Sequence, residues 1–284
     1  MSKLKIVLEM IKIEHTLFAM PFALMGALLA ARGIPDARTL LWIVVAMVGA
    51  RSAAMAFNRL VDRDYDAKNP RTASRAIPAG LVSVGFVKVF TLASSLLLVL
   101  AAWQLNRLAL LLSPVALGII FLYSYTKRFT AWCHAYLGLA LSIAPIGAWV
   151  AVKGTLEGVP LLLGAAVVCW LIGFDTIYAL NDLEYDRSAG LNSLPVRFGP
   201  KNALKIARVS HAVMILLLLA LGKLAELHGW YFTGVGLAAL LIALEHTIIS
   251  PADLKRLNIA FFNVNIAVST GLLVSTALDL LLTR

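Results

Sequence analysis

Two short stretches concentrate the acidic residues of an otherwise apolar chain. The first reads NRLVDRDYD (58–66) and the second reads NDLEYD (181–186). Six of the nine aspartates of the chain lie in or just before these stretches. Each stretch directly follows an apolar run, so both acidic clusters are expected at the ends of helices.

The spacing of the carboxylates suits the binding of divalent cations. Asp62 and Asp66 are four residues apart, and so are Asp182 and Asp186, so each pair shares one helix face. Two carboxylates at this spacing repel, and near hydrocarbon the repulsion is little screened. Mg²⁺ prefers oxygen ligands and commonly takes one or two carboxylates together with substrate phosphates. We therefore predict that the two pairs face each other across a site that holds Mg²⁺ and a diphosphate.

Neighbouring residues refine this prediction. Asn58 lies four residues before Asp62 and joins its face, whereas Asp64 falls about 200° round the helix and is expected to point away. Glu184 is the off-face partner in the second stretch. The alternative is that both stretches are solvated charged loops at helix ends. Their matching spacing after two apolar helices favours a shared site.

The elements that must position these residues are membrane helices. The chain has 284 residues, 61% of them hydrophobic and 14% charged, whereas soluble domains are about a quarter charged. A spanning helix needs roughly 20 mainly apolar residues. The sequence predicts nine spans, at 15–33, 38–58, 82–104, 106–125, 131–152, 160–181, 203–222, 230–249 and 258–282. The predicted fold is all-α and polytopic, a single domain over residues 1–284.

The distribution of basic residues predicts the orientation. Of the 25 lysines and arginines, 18 fall on the side of the N-terminus and the acidic stretches, six on the other side, and Arg51 inside a span. Cytoplasmic loops are enriched in Lys and Arg. We therefore place the N-terminus and both acidic stretches in the cytoplasm, in a multi-pass protein of the cell (inner) membrane. Topology, rather than binding to nucleic acid, explains the net charge of +10.

Several cations accompany the acidic stretches on the predicted cytoplasmic side. Arg71 and Arg75 follow the first stretch, and Lys127 and Arg128 lie in another loop, next to Tyr123. Such donors suit the oxygens of a diphosphate. For each of them, a role in topology alone remains the alternative.

Two ionisable residues inside predicted spans are further candidates, because charges within a bilayer usually face a cavity or a partner. Arg51 lies seven residues before Asn58 and shares its helix face, so it could bind an anionic group of a second substrate. A structural pair with an acid of another helix is the alternative. Asp175 lies seven residues before Asp182, and a functional role is expected for it.

These motifs resemble those of the UbiA superfamily of intramembrane prenyltransferases over nearly the whole chain. NRLVDRDYD is similar to the first aspartate motif of that family, NxxxDxxxD, and DTIYALNDLEYD is similar to the second. NPRTASRAIPAG, YSYTKRFT and GLNSLPVRFG resemble the segments that accompany them. The resemblance implies nine transmembrane helices around a central cavity with a cytoplasmic cap, and Mg²⁺-dependent transfer of a prenyl chain from a polyprenyl diphosphate.

The resemblance also implies roles for individual residues. The aromatic acceptor would lie near Arg51 and Asp175, which are the candidate catalytic residues. The residues implied in binding metal are Asp62, Asp66, Asp182 and Asp186. The residues assigned to diphosphate are Asn58, Arg71, Arg75, Lys127 and Tyr123.

The acceptor is less closely defined than the donor. Arg59 and Asn192 depart from the patterns of 4-hydroxybenzoate enzymes of ubiquinone synthesis, where aspartate and lysine are frequent. Other segments look closest to the futalosine branch of menaquinone synthesis, whose implied acceptor is 1,4-dihydroxy-6-naphthoate. Both acceptors are aromatic acids. A cation-coupled transporter is the alternative of another class. Transporters typically have midplane carboxylates and inverted repeats, whereas the carboxylates of this chain gather at helix ends on one side of the membrane.

Overall fold

The computed structural model describes residues 3–11, 16–249 and 263–283, and within them it contains helices and no strands. The helices that precede the second acidic stretch are α1 (Lys3–Met10), α2 (Thr16–Ala31), α3 (Ala37–Val61), α4 (Arg63–Lys68), α5 (Val84–Leu105), α6 (Arg107–Thr126), α7 (Cys133–Lys153) and α8 (Gly158–Tyr178). A 3₁₀ turn (Ala179–Asp182) follows, and then α9 (Leu183–Ser188), α10 (Leu194–Leu224), α11 (Gly229–Ile248) and α12 (Asn265–Leu282).

Nine of these helices correspond to the nine predicted spans. Eight of the nine are long and apolar enough to cross a membrane, and α2 is shorter, with 16 residues. The predicted last span, 258–282, begins outside the described residues, and α12 accounts for the rest of it. The all-α, polytopic prediction is confirmed.

The surface of the helices is apolar, as expected of a protein solvated by lipid. Large apolar side chains such as Leu92, Trp103 and Leu216 are about three-fifths exposed. Exposure of apolar side chains over so wide an area would be unfavourable in contact with water. Polar side chains, including Asp66 and Glu245, are buried instead. The chain is therefore a multi-pass membrane protein.

Close contacts set the spacing of the helices that carry the site. A Cβ atom on Gly138 of α7 would lie 2.8 Å from the Cα atom of Val168 in α8, so only glycine allows this approach. At the other end of α7, the amide of Asn106 donates to the carbonyl of Val150 at 2.7 Å. Asn106 also caps α6 through Ala109. It thereby forms the tight α5–α6 connection that the sequence predicts.

Both acidic stretches interrupt a helix at the same kind of backbone position. Asp62 separates α3 from α4 with φ −95° and ψ 4°, and Asp182 precedes α9 with φ −106° and ψ 4°. The expected continuous helix is therefore broken after Val61. The amide of Asp66 still donates to the carbonyl of Asp62 at 2.7 Å, so the one-turn spacing of the carboxylates is kept.

A short helical segment precedes the seventh predicted span. The span was expected at 203–222, after a Gly199-Pro200 turn, and α10 as a whole extends from Leu194 to Leu224. Gly199 has the non-helical angles φ +77° and ψ 159°, which favour glycine, so it separates residues 194–198 from the long helix that follows at the predicted turn. The short segment lies beside the start of α7, where the N–H of Leu194 contacts His134.

Candidate active site

The two acidic stretches line one small polar cavity of about 190 Å³. It adjoins a larger, mainly apolar cavity of about 770 Å³ that lies among α3, α5, α6, α7 and α8. The residues that line both cavities are Asn58, Arg71, Thr72, Arg75, Tyr123, Asp175 and Tyr178. The prediction that the two acidic helix ends face each other is therefore confirmed, and their shared space opens beside an apolar chamber.

Each carboxylate of the first stretch contacts a cation. Asp62 accepts hydrogen bonds from Asn58 at 2.8 Å and from Arg128 at 3.4 Å. Asp66 is buried and accepts from Arg75 at 2.6 Å. The guanidinium of Arg59, also buried, lies 3.9 Å from the other oxygen of Asp66.

The carboxylates of the second stretch are held by cations from elsewhere in the chain. Arg71, which follows the first stretch, donates to both oxygens of Asp182 at 2.7 and 2.5 Å. Asn69 donates to Asp182 at 3.4 Å. Lys127, from the α6–α7 loop, donates to the buried Asp186 at 3.3 Å. Segments far apart in sequence thus meet at one cavity.

Tyrosines complete the contact between the two stretches. The hydroxyl of Tyr185 donates to the carbonyl of Tyr65 at 2.7 Å. Arg128 lies over the ring of Tyr65, with 5.3 Å from its guanidinium carbon to the ring centroid, and over Tyr125 at 5.1 Å. The Tyr185–Tyr65 hydrogen bond joins α4 to α9 independently of the ion pairs.

The charges are crowded enough to shift the pKa values of groups at the membrane edge. Burial raises the pKa of the Asp62 carboxyl, and the charge of Asp66 raises it further. Burial lowers the pKa of Lys127, but Asp186 and neighbouring acids outweigh it, so that the pKa lies above its usual range. The lysine therefore stays charged.

The residues fit a magnesium–diphosphate unit better than a bare metal ion. Within the described ranges, no three His, Cys, Asp or Glu side chains are arranged to hold a metal by themselves. Mg²⁺, however, commonly uses one or two carboxylates and completes its shell with phosphate and water. Oδ2 of Asp66 is buried and accepts no hydrogen bond from the described residues. An oxygen left without a donor in this position suits a cation.

The predicted catalytic candidates lie at the larger cavity. Arg51 lines it from α3, about two helical turns deeper than Asn58. Asp175 of α8 lines both cavities, and its side chain is 21% exposed. Tyr123 lines both as well. All the predicted site residues therefore border one or both cavities.

The two off-face acids lie outside the site, as predicted. Asp64 is exposed and pairs with Arg63 at 3.4 Å. Glu184 is exposed on α9. Neither lines a cavity that holds the other aspartates.

His134 and Asn69 are site residues that the sequence analysis missed. His134 is buried in α7, and its Nδ1 atom lies 2.7 Å from Oδ2 of Asp175. The sequence did contain a signal for His134. An intramembrane carboxylate such as Asp175 needs a partner, and His134 is an ionisable group at the start of the preceding span. Asn69 reaches Asp182 from the turn after α4, a long-range contact without any local signature.

Comparisons with known proteins agree with this geometry. The model of the UbiA prenyltransferase family matches residues 19–267. A 4-hydroxybenzoate octaprenyltransferase of Thiobacillus denitrificans is 35% identical over 236 residues, which cover 83% of this chain and 80% of that protein.

Solved structures with the same fold include a UbiA homologue from Aeropyrum pernix K1, in its apo form. It is 37% identical, with a TM-score of 0.85, and the match covers 94% of this chain and 98% of that one. A UbiA homologue from Archaeoglobus fulgidus, solved with DMAPP and Mg²⁺, is 22% identical with a TM-score of 0.68, over 93% and 99% of the two chains. The second likeness bears on the fold alone.

Proposed function

Because the chain belongs to the UbiA prenyltransferase family, we propose that it transfers a polyprenyl group to an aromatic carboxylate in quinone biosynthesis. The donor is a polyprenyl diphosphate, and the acceptor is of the 4-hydroxybenzoate type. The observation that carries this proposal is the junction of the two cavities, where a polar space between two aspartate motifs opens into an apolar chamber. The name of the Thiobacillus denitrificans relative supports the same acceptor class.

The polar cavity binds the diphosphate end of the donor. Asp62, Asp66, Asp182 and Asp186 would hold Mg²⁺, which would neutralise charge on the departing diphosphate. Arg71, Arg75 and Lys127 then turn from the carboxylates that they contact in the ligand-free chain towards the phosphate oxygens, with Asn58 and Tyr123 beside them. These donors favour the leaving group over the intact donor because its charge grows as the carbon–oxygen bond breaks.

The acceptor lies where the two cavities meet. Arg51 binds its carboxylate with a charge-assisted hydrogen bond, and Asp175 accepts a hydrogen bond from its ring hydroxyl. The allylic cation left by departure of diphosphate is attacked by the ring carbon beside that hydroxyl. Loss of the ring proton then restores aromaticity.

The larger cavity holds the prenyl chain and keeps water from the cation. Its walls are mainly apolar and include Leu137, Leu141, Leu171 and Phe174. Excluding water matters because a hydroxyl adduct would otherwise compete with the aromatic product. The rest of a long chain extends between helices into lipid.

The site faces the cytoplasm of a cell (inner) membrane in this proposal. The 18-to-6 division of basic residues supports that orientation, through the positive-inside rule. The donor and the aromatic acid then both reach the site from the cytoplasmic face.

The acceptor of the futalosine menaquinone pathway, 1,4-dihydroxy-6-naphthoate, is the second candidate. It carries the same carboxylate and hydroxyl, so Arg51 and Asp175 would bind it in the same way. The departures at Arg59 and Asn192 favour this alternative.

The decisive experiment uses membranes that contain the protein, Mg²⁺, geranylgeranyl diphosphate and labelled 4-hydroxybenzoate. We expect a prenylated product that disappears with EDTA and with Asp62→Ala. Competition with unlabelled 1,4-dihydroxy-6-naphthoate identifies the preferred acceptor. Cation flux through proteoliposomes, without product from either acid, would show that the protein is a transporter and not a prenyltransferase.

A further inference from the structure

The contact between His134 and Asp175 joins the site to the helix packing behind it. Nδ1 of His134 lies 2.7 Å from Oδ2 of Asp175. The side chain of His134 has no exposed surface, whereas that of Asp175 is 21% exposed and borders both cavities. The histidine, which also borders the smaller cavity, therefore contacts one oxygen of the carboxylate and leaves the other oxygen available to a ligand.

The second ring nitrogen reveals which tautomer the histidine adopts. The backbone N–H of Leu194 donates to Nε2 of His134 at 3.4 Å. Leu194 is the first residue of α10, and the first N–H groups of a helix have no intrahelical acceptor. Nε2 can accept this N–H only through a lone pair, so the proton of the neutral ring is on Nδ1. Nδ1–H accordingly donates to Asp175.

The position at a helix N-terminus also disfavours a doubly protonated ring. The N–H groups at the start of a helical segment are partly positive, and the N–H of Leu194, which begins the short segment 194–198 before the non-helical Gly199, lies directly beside His134. A neutral imidazole facing a carboxylate is the arrangement that satisfies both neighbours.

We propose that His134 is a positioning residue of the prenyl transfer, which holds the side chain of Asp175 with one oxygen directed at the hydroxyl of the aromatic acceptor. This inference rests on the proposed function. Without His134, the Asp175 side chain would rotate freely. Its oxygen would then no longer be held where it can accept the hydrogen bond of that hydroxyl.

His211 provides a matched control. It is as deeply buried as His134, at 1% exposure, and it also uses both ring nitrogens. Nδ1 lies 2.9 Å from Nε2 of His246, and Nε2 lies 3.3 Å from the carbonyl oxygen of Trp170. His211 lines neither cavity. Its replacement therefore tests the general effect of losing a buried, hydrogen-bonded histidine.

The kinetic test compares His134→Leu, His134→Asn and His211→Asn in the assay with geranylgeranyl diphosphate and 4-hydroxybenzoate. We expect His134→Leu to lower kcat/KM for the acceptor by about tenfold or more, with the KM for the donor unchanged. His134→Asn should recover most of the loss, since its amide N–H can occupy the place of Nδ1–H. His211→Asn should behave as wild type. Equal losses in His134→Leu and His211→Asn, or no recovery with asparagine, would overturn the proposal.

A double-variant comparison separates positioning from a general structural role. In an Asp175→Asn background, His134→Leu should reduce the acceptor kcat/KM no further, because its partner is already gone. A further loss as large as that in the wild-type background would show that His134 acts elsewhere. The melting temperature of each purified variant accompanies the rates.

A measurement without catalysis keeps the two proposals distinguishable. In ¹⁵N-histidine-labelled protein, NMR should show His134 as the neutral Nδ1–H tautomer, with a signal that shifts in Asp175→Asn. An imidazolium or an Nε2–H tautomer would overturn the inference even if the enzyme is active. A wild-type protein that prenylates neither aromatic acid would overturn the proposed function, while this spectrum would still decide the state of the pair.

Discussion

Arg71, from the segment after the first aspartate motif, forms a two-point ion pair with Asp182 of the second motif. Its Nε atom lies 2.7 Å from Oδ1, and its Nη2 atom lies 2.5 Å from Oδ2. The pair is the shortest link between the two motifs across the polar cavity. It also places a guanidinium where a diphosphate would need one.

Replacing Arg71 should impair use of the donor more than folding. We expect Arg71→Ala to lower kcat/KM for the prenyl diphosphate by about 10- to 100-fold, the equivalent of one charged hydrogen-bonding group. Arg63→Ala is the control, because Arg63 is half exposed and its ion pair among the described residues is with the surface acid Asp64. Steady-state rates with varied donor decide the question. Equal effects of the two variants would remove Arg71 from the diphosphate site.

The aspartates of the first motif should differ sharply in importance. Asp66 is buried and faces the cavity, whereas the side chain of Asp64 is 78% exposed. We expect Asp66→Asn to reduce kcat by about 100-fold or more, because negative charge that would hold Mg²⁺ is lost. Asp64→Asn should leave the rate close to that of wild type. Rates measured over a range of Mg²⁺ concentrations would contradict this if both variants behaved alike.

Arg51 should select for the carboxylate of the acceptor. Loss of a charged hydrogen bond of this kind costs about 1.5–3 kcal/mol. Arg51→Ala should therefore raise the KM for 4-hydroxybenzoate by about tenfold or more, with little effect on a phenol that lacks the carboxylate. The two acceptors are compared at saturating donor. Equal losses on both would refute a carboxylate-specific role.

The α7–α8 contact should be intolerant of a single methyl group. Alanine at Gly138 would place its Cβ atom 2.8 Å from the backbone of Val168, and overpacking of this kind costs about 1–3 kcal/mol. We expect a lower melting temperature in detergent for Gly138→Ala. Gly118→Ala in α6 is the control, because a Cβ atom there would meet nothing within 4 Å. A melting temperature for Gly138→Ala at or above that of the control would disprove the close contact.

The fold could be predicted because lipid imposes a simple rule on the sequence. Apolar runs long enough to span the bilayer must be helices, and the predicted span 38–58 lies within α3, Ala37–Val61. The segment 194–198 was not assigned to the seventh span because the Gly199-Pro200 pair that follows it is typical of a turn. Gly199 is indeed non-helical and separates that segment from the long helix after it.

The site could be predicted only as far as local spacing reaches. Four-residue spacing predicted which aspartates share a face, and the structure directs Asp64 outwards as expected. The partners of those aspartates depend on tertiary contacts. Neither Arg71 with Asp182 nor His134 with Asp175 is encoded by any interval in the sequence, since each joins segments that only packing brings together.

The pairing of every motif aspartate with a lysine or arginine has a consequence for the order of binding. Asp62, Asp66, Asp182 and Asp186 contact Arg128, Arg75, Arg71 and Lys127 respectively, so the ligand-free cavity is already close to electroneutral. A cation entering alone meets the arginines, and an anion entering alone meets the carboxylates. Mg²⁺ should therefore raise the affinity of the chain for the prenyl diphosphate, and the diphosphate should raise the affinity for Mg²⁺ by the same factor, as thermodynamic linkage requires. Calorimetric titration of geranyl diphosphate with and without Mg²⁺ would measure that cooperativity, and independent binding would show that the balance of charge has no influence on assembly.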